Sequence, residues 1–276
     1  MAAELAPVIR HAPPLRRGRI VLRSVDDRRD LRYYAYWPET TLPDLPVFVA
    51  VHGISINARE QARHFSPWAE RTGVLLIAPV FDPLFYGDYQ RLGRNGRGAR
   101  ADRALQVMLA DLERQAGRLP GRICLFGFSG GAQFAHRFTM AHPDRVAAQV
   151  LAAPGWFTFP DNRRRYPYGL RPCPHLPDLS FEPDRFLQVD SHVLVGTRDT
   201  LRDASLRRMP KIDRRQGRTR IERGQRWIQA MRKEAAAREQ ETRFEFDVME
   251  RCGHNFETCM TRGGLGSKTF DFLYAR

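Results

Sequence analysis

The chain has 276 residues, of which 42% are hydrophobic and 11% aromatic. This apolar content is too high for a disordered chain, despite a formal net charge of +14 from 45 Lys and Arg against 31 Asp and Glu. A chain of this length buries about three quarters of its unfolded surface, so it needs neither a disulfide nor a metal to hold its fold. The composition therefore indicates a basic globular protein.

Nearly all of the positive charge comes from arginine, because lysine occurs only at Lys211, Lys233 and Lys268. Arginine binds phosphate and carboxylate through paired hydrogen bonds, so a polyanion partner is one interpretation of this charge. An arginine-rich composition on an ordinary solvated surface is the other. Since no zinc-finger spacing or RNP-like aromatic strand accompanies the arginines, we expect no nucleic-acid partner.

The sequence shows no targeting or membrane signal. Residues 1–15 lack the apolar run of a secretory signal, and no segment approaches the roughly 20 apolar residues that span a bilayer. Four cysteines are too few for a disulfide framework and are expected to be reduced, although a Cys252–Cys259 bridge stays open. These patterns predict a cytoplasmic protein without a membrane span.

The predicted elements alternate between strands and helices along the chain. Two extended segments, 19–24 and 31–36, flank a polar turn at 26–30 and predict a hairpin. Short apolar runs bounded by turn residues then predict strands buried on both faces. These runs are 47–51, 74–78, 123–126, 146–151, 193–195 and 244–248. Apolar residues at helical spacing predict the helices, which are 58–71, 101–115, 131–142, 221–239 and 268–274.

This alternation predicts an α/β fold with a mostly parallel central sheet of about eight strands flanked by helices. We expect an N-terminal arm at 1–18 and a single domain at 19–276. Residues 155–188 are crowded with proline and aromatic side chains, and a long insertion without regular elements is usually functional or disordered. The aromatic content favours a lid-like insertion over disorder, with an edge-covering loop as the alternative.

The segment Gly127-Phe128-Ser129-Gly130-Gly131 directly follows a predicted buried strand and opens a predicted helix. This is the context of a nucleophile elbow, in which a serine projects from a sharp turn above the sheet. Glycine at 127 and 131 removes side chains that would collide where strand and helix approach. The pattern therefore predicts Ser129 as a nucleophile, with a plain tight turn as the alternative.

A serine hydroxyl needs a base, and the base needs an acid that orients it. Asp199 follows the predicted strand at 193–195, and His254 follows the predicted strand at 244–248. The three residues Ser129, Asp199 and His254 thus follow in the chain order Ser, Asp, His, which predicts a catalytic triad. Asp203 is the substitute acid, whereas Asp190 precedes its strand and is expected at the wrong end of the sheet.

An oxyanion hole needs two preorganised donors, each worth about 3 to 4 kcal/mol in the transition state. The backbone N–H of Gly130, directly after the nucleophile, is the first candidate. The second is the N–H of Ile54, with Ser55 as the alternative, because His52-Gly53 makes a turn at the end of the strand 47–51. We expect a structural role for His52, which precedes this turn.

Five residues are expected to contact the substrate. Trp156, Phe157 and Phe159 are predicted to form the pocket wall, and Ser55 and Phe128 lie beside the predicted oxyanion turn and the nucleophile. An aromatic wall suits an acyl or aromatic group. The arginines at 163–165 near this wall predict steering of an anionic substrate.

At His52-Gly53, at residues 127–131, at 196–199 and at 253–256 the chain resembles the α/β-hydrolase superfamily. Within it, the resemblance points to the esterase branch that includes dienelactone-hydrolase-like and polyhydroxybutyrate-depolymerase-like proteins, and it covers residues 47–256. It implies a cofactor-free enzyme that cleaves carboxylic esters through an acyl-enzyme. The depolymerases are generally secreted, whereas this chain lacks a signal, and dienelactone hydrolases carry cysteine where this chain has Ser129.

Two other patterns are weaker. Cys252, His254 and Cys259 offer three zinc ligands, but structural zinc sites usually need four. The glycine-rich stretch 93–98 follows no strand and fits no phosphate-binding motif. We therefore predict a serine esterase acting on a small-molecule ester. The alternatives are an acyltransferase, peptidase or lyase on the same fold, or a non-catalytic basic binding protein.

Overall fold

The computed structural model describes residues 15–26, 28–42, 44, 46–93, 97–117, 121–202 and 205–275. Most of the predicted N-terminal arm, the substitute acid Asp203 and part of the glycine-rich stretch 93–98 lie outside these residues. No helix in the described ranges is long and apolar enough to cross a membrane.

Eight strands form one sheet across the described residues, in the order β1-β2-β4-β3-β5-β6-β7-β8. They are β1 Ile20–Val25, β2 Arg28–Tyr36, β3 Val47–Val51, β4 Leu76–Val80, β5 Ile123–Phe128, β6 Val146–Ala152, β7 Asp190–Gly196 and β8 Phe244–Met249. The first two strands form an antiparallel hairpin whose second strand pairs antiparallel with β4. The six strands from β3 to β8 are parallel to one another. The predicted mostly parallel sheet is therefore confirmed.

Helices cover both faces of the sheet. They are α1 Ala58–Thr72, α2 Pro83–Tyr86, α3 Ala101–Ala116, α4 Gly130–Ala141, α5 Pro183–Phe186, α6 Pro210–Gln216, α7 Arg220–Ala236, α8 Phe256–Thr261 and α9 Leu265–Tyr274. The side chains of β5 alternate between two cores, with Leu125 on one face and Phe126 on the other. Because both faces are buried, the strand reads in sequence as one continuous apolar run.

The long helices and the parallel strands begin and end close to their predicted positions. The short helices α2, α5, α6 and α8 were not predicted, because four to seven residues are too few to show a helical period. All four cysteines are buried and free, so Cys252 and Cys259 form no bridge.

The insertion 155–188 packs against α6 and α7. Phe157 stacks on Trp227 of α7 with ring centroids 4.9 Å apart. The backbone N–H and C=O of Phe157 both bond the side-chain amide of Gln216, each at 2.9 Å. These contacts tie the insertion to α6 and α7. Its action as a lid stays a prediction.

Candidate active site

Ser129 lies in the turn between β5 and α4, and its backbone conformation is strained. Its φ of 54° and ψ of −109° fall in a region that residues with a side chain rarely adopt. The turn is held by a 2.8 Å hydrogen bond from the Ser129 N–H to the Ala152 carbonyl of β6. Only 7% of Ser129 is exposed. The sequence Gly-Phe-Ser-Gly-Gly thus folds into the sharp strand-to-helix turn that it predicts.

Two glycines allow close packing at this turn, Gly131 against the end of β3 and Gly127 against the first turn of α4. A Cβ at Gly131 would overlap the Val51 carbonyl oxygen and lie 2.6 Å from the His52 carbonyl oxygen. A Cβ at Gly127 would lie 2.5 Å from the Ala132 nitrogen. Real Cβ atoms are not found this close to backbone, so both positions require glycine for close approach rather than for a positive φ.

The structure brings the three residues of the predicted triad into one hydrogen-bonded chain. His254 Nε2 lies 2.9 Å from Ser129 Oγ, and His254 Nδ1 lies 2.8 Å from Asp199 Oδ2. The Asp199 side chain is almost completely buried and that of His254 is 17% exposed. All three residues follow the carboxyl ends of parallel strands, which meet at one edge of the sheet.

The loops that carry Asp199 and His254 are joined by backbone hydrogen bonds. The Thr197 N–H donates to the Met249 carbonyl at 3.0 Å, and the Arg198 N–H donates to the Cys252 carbonyl at 2.8 Å. Gly196 permits this approach, since a Cβ there would overlap the Cys252 backbone. The relative position of the carboxylate and the imidazole is therefore set by the backbone of both loops.

The second oxygen of Asp199 has a partner that the sequence analysis missed. Arg220 Nη1 donates to Asp199 Oδ1 at 2.7 Å, and both side chains are at most 1% exposed. Arg220 Nη2 also donates to Ser205 Oγ at 2.8 Å. Arg220 is the first residue of α7, and among 42 arginines no sequence signal distinguishes it.

The predicted oxyanion residues lie beside Ser129. A Cβ at Gly53 would be 3.5 Å from Ser129 Cβ, so the turn after β3 packs against Ser129. The Ile54 side chain packs against Gly130, with Ile54 Cγ2 3.2 Å from the position of a Cβ there. Gly130 opens α4, so its N–H has no acceptor within the helix. Ser55 is exposed at the same turn.

His52 is completely buried, and its ring supports the same turn. His52 Nε2 accepts a 2.9 Å hydrogen bond from the Phe81 N–H, and His52 Nδ1 lies 2.6 Å from the Gly53 carbonyl. Burial lowers the pKa of His52 to about 4, so the ring is neutral at pH 7. Both ring nitrogens are thus engaged by backbone groups, so His52 stabilises the turn.

The three aromatic residues predicted to form the pocket wall, Trp156, Phe157 and Phe159, do not share one exposed surface. Phe128 stacks on the His254 ring with centroids 5.3 Å apart, and Trp156 lies under the Arg137 guanidinium at 4.3 Å. Phe157 is fully buried and stacks on Trp227 in the core, so it presents no surface to a pocket. Phe159 is half-buried and lines a cavity of about 850 Å³, to which Ser129 does not contribute.

No family model and no curated protein sequence matches this chain. Several solved structures do resemble it over most of its length. Poly(aspartic acid) hydrolase-1 from Sphingomonas sp. KT-1 is 21% identical with a TM-score of 0.77, over 94% of this chain and 99% of that one. A poly(3-hydroxybutyrate) depolymerase from Bordetella parapertussis is 24% identical with a TM-score of 0.73, over 96% and 91% of the two chains. An S-formylglutathione hydrolase from Agrobacterium tumefaciens is 13% identical with a TM-score of 0.58, over 92% and 95%.

These likenesses extend over nearly the whole of each chain, although every identity is below a quarter. The structural neighbours also include a fluorophosphonate-binding serine hydrolase from Staphylococcus aureus and a ferulic acid esterase. The eight-stranded sheet, its helices and these neighbours together show that the chain has the α/β-hydrolase fold.

Proposed function

We propose that this protein is a serine hydrolase that cleaves a carboxylic ester through an acyl-enzyme. The observation that carries the proposal is the chain of two hydrogen bonds from Ser129 through His254 to the buried Asp199 carboxylate. This is the arrangement that converts a weakly nucleophilic hydroxyl into an effective nucleophile. The hydrolases among the structural neighbours support hydrolysis as the reaction class.

In the proposed acylation step, His254 Nε2 takes the proton of the Ser129 hydroxyl while Ser129 Oγ attacks the ester carbonyl carbon. Asp199 holds the imidazole through Nδ1 and stabilises its positive charge. The tetrahedral oxyanion is held by the N–H groups of Gly130 and Ile54. When the intermediate collapses, the C–O bond to the alcohol breaks and His254 gives its proton to the leaving oxygen.

Deacylation repeats the same steps with water. His254 removes a proton from water, the resulting hydroxide attacks the acyl carbon, and the carboxylic acid leaves as Ser129 recovers its proton. The N-terminal end of α4 lies at the reacting carbonyl, where its dipole favours negative charge. No step requires a metal or an organic cofactor.

Hydrolysis of p-nitrophenyl acetate and p-nitrophenyl butyrate tests the proposal. Wild type should turn over both esters and should carry an acetyl group on Ser129 when a reaction with the acetate is quenched in acid. Ser129→Ala should reduce kcat/KM by about 10³-fold or more. Ser66→Ala, which changes a serine on the surface of α1, should match wild type. Equal turnover by Ser129→Ala and wild type would contradict the proposal.

The same assay separates the alternatives. An acyltransferase or lyase would hydrolyse these esters poorly while Ser129 still reacted, and a transferase would release product faster when an acceptor alcohol is added. A peptidase would prefer the matching amide. A non-catalytic binding protein would show neither turnover nor acetylation.

A further inference from the structure

Arg220 binds the Asp199 carboxylate through the oxygen that His254 does not use. Arg220 Nη1 donates to Asp199 Oδ1 at 2.7 Å, and the other carboxylate oxygen, Oδ2, lies 2.8 Å from His254 Nδ1. The side chains of Arg220 and Asp199 are at most 1% exposed. The guanidinium, the carboxylate and the imidazole therefore form one buried row of hydrogen-bonded groups that ends at Ser129 Oγ.

The Arg220 guanidinium is itself fixed in place. Arg220 begins α7, where the Thr219 hydroxyl caps the helix by accepting a 3.2 Å hydrogen bond from the Glu222 N–H. Arg220 Nη2 donates to Ser205 Oγ at 2.8 Å. A planar guanidinium that is bonded to both Asp199 and Ser205 has little freedom to turn, so it fixes which carboxylate oxygen faces the imidazole.

Arg220 is also the permanent cation that pairs with Asp199 in the described part of the chain. The Cys259 thiol lies within electrostatic reach of Asp199, but burial raises the pKa of this thiol to about 12, so it is neutral at pH 7. Ser129 contacts His254 and carries no charge. The charge on Arg220 is therefore the one that balances the buried carboxylate from the side opposite the imidazole.

This balance affects how readily the pair of Asp199 and His254 takes up a proton. A carboxylate that is buried without a cation attracts a proton, because burial disfavours its charged form, and a neighbouring cation opposes the uptake. In a coupled pair the added proton belongs to both groups. Since Nδ1 is bonded to Asp199, the added proton occupies Nε2, the nitrogen that must accept the proton of Ser129.

We propose that Arg220 is a positioning residue of the hydrolysis, which acts through Asp199 to keep His254 Nε2 free of a proton near neutral pH. This inference rests on the proposed function and adds to it a residue that acts on the reaction without touching the substrate. Arg220 contributes in two separable ways. Its charge sets the pH range of activity, and its planar shape holds the carboxylate in line with the imidazole.

The pH dependence of kcat/KM for p-nitrophenyl butyrate tests the charge. Arg220→Gln removes the cation and keeps a hydrogen-bond donor. Its acid limb should move to higher pH by about one pH unit, because the lost cation lies only one carboxylate away from the imidazole. The ratio of wild-type to variant kcat/KM should therefore be about tenfold larger on the acid limb than on the plateau. A purely structural defect would lower kcat/KM by the same factor at every pH.

Two further variants separate charge from shape and from burial. Arg220→Lys keeps the charge without the planar guanidinium, so it should retain the wild-type profile with a lower kcat. Arg223→Gln is the matched control, because Arg223 is equally buried one turn further along α7 but pairs with Asp213. It should move the acid limb by less than about a third as much as Arg220→Gln. Circular dichroism and urea midpoints should show that each variant is folded, and Arg220→Met is the second charge-free variant if Arg220→Gln is not.

NMR titration of ¹⁵N-histidine-labelled protein tests the same inference without a substrate. The histidine resonance that is absent from His254→Gln should gain its proton at higher pH in Arg220→Gln than in wild type. Wild type that hydrolyses no ester would contradict the proposed function, and this titration would still decide whether Arg220 controls the proton on His254.

Three results would overturn the inference. The ratio of wild-type to Arg220→Gln activity could be the same at every pH, with an unchanged histidine titration. Arg223→Gln could move the acid limb as far as Arg220→Gln, in which case any buried arginine of α7 has the same effect. Arg220→Lys could also move it as far, in which case the charge is not what sets the pH range.

Discussion

Replacement of Arg220 should show how much the buried ion pair between Arg220 and Asp199 contributes to the stability of the fold. Arg220 and Asp199 form a 2.7 Å ion pair whose two side chains are at most 1% exposed. Breaking such a pair from one side leaves the other charge buried without compensation, which typically costs about 3 to 5 kcal/mol. We expect Arg220→Met to lower the free energy of unfolding by this amount. The loss is a large part of the roughly 5 to 15 kcal/mol of an ordinary domain.

A double-mutant cycle converts this expectation into a measurement of the pair itself. Asp199→Asn alone leaves the Arg220 charge buried and should also destabilise the fold. The double variant removes both charges, so its loss of stability should be smaller than the sum of the two single losses by about 2 to 3 kcal/mol. Arg220→Lys keeps the charge but loses the planar fork, and it provides a milder variant if Arg220→Met is too unstable.

The assay is urea unfolding of the four proteins at pH 7, followed by tryptophan fluorescence and by circular dichroism. Coincident transitions by the two probes justify the comparison of free energies. If the losses in the two single variants simply add in the double variant, the ion pair does not have the energetic role that its burial implies.

Two further predictions concern the turn around the nucleophile. Gly131→Ala, whose Cβ would overlap the Val51 carbonyl oxygen, should destabilise the fold by about 1 to 3 kcal/mol and reduce the proposed esterase activity. Gly121→Ala, which meets nothing within 4 Å, should do neither. The pKa of His52 is lowered to about 4 by burial, whereas an unfolded histidine titrates near about 6.5. As the pH falls through this window only the unfolded state gains the proton, so stability should drop by about 3 kcal/mol in total. His52→Gln should flatten this part of the stability profile measured by urea unfolding, and identical profiles would contradict the assignment.

The sequence predicts the sheet and the candidate triad because both depend on local patterns. The parallel strands β3 to β7 are buried on both faces and read as apolar runs. The residues that follow a parallel strand lie at the carboxyl edge of the sheet. The sequence pattern alone therefore predicts that Ser129, Asp199 and His254 lie close together. The strained turn at Ser129 can form because Gly127 and Gly131 allow the backbone segments around it to approach closely.

Contacts between distant segments could not be predicted in this way. Arg220 reaches Asp199 across 21 residues of chain, and its role depends on where α7 begins in space. Phe157 follows a strand as a pocket residue would, but it turns into the core against Trp227. Aromatic residues in an insertion can face a substrate or the core, and the local sequence is the same in both cases.

The central claim is that Ser129 is an activated nucleophile, and labelling with a fluorophosphonate followed by intact-mass spectrometry tests it most directly. Activation by His254 predicts a single adduct on wild type and none on Ser129→Ala. His254→Ala should slow labelling strongly, because the 2.9 Å contact to Ser129 Oγ is the path for the proton. Wild type that stays unlabelled, or a Ser129→Ala variant that is labelled as fast as wild type, would contradict the account.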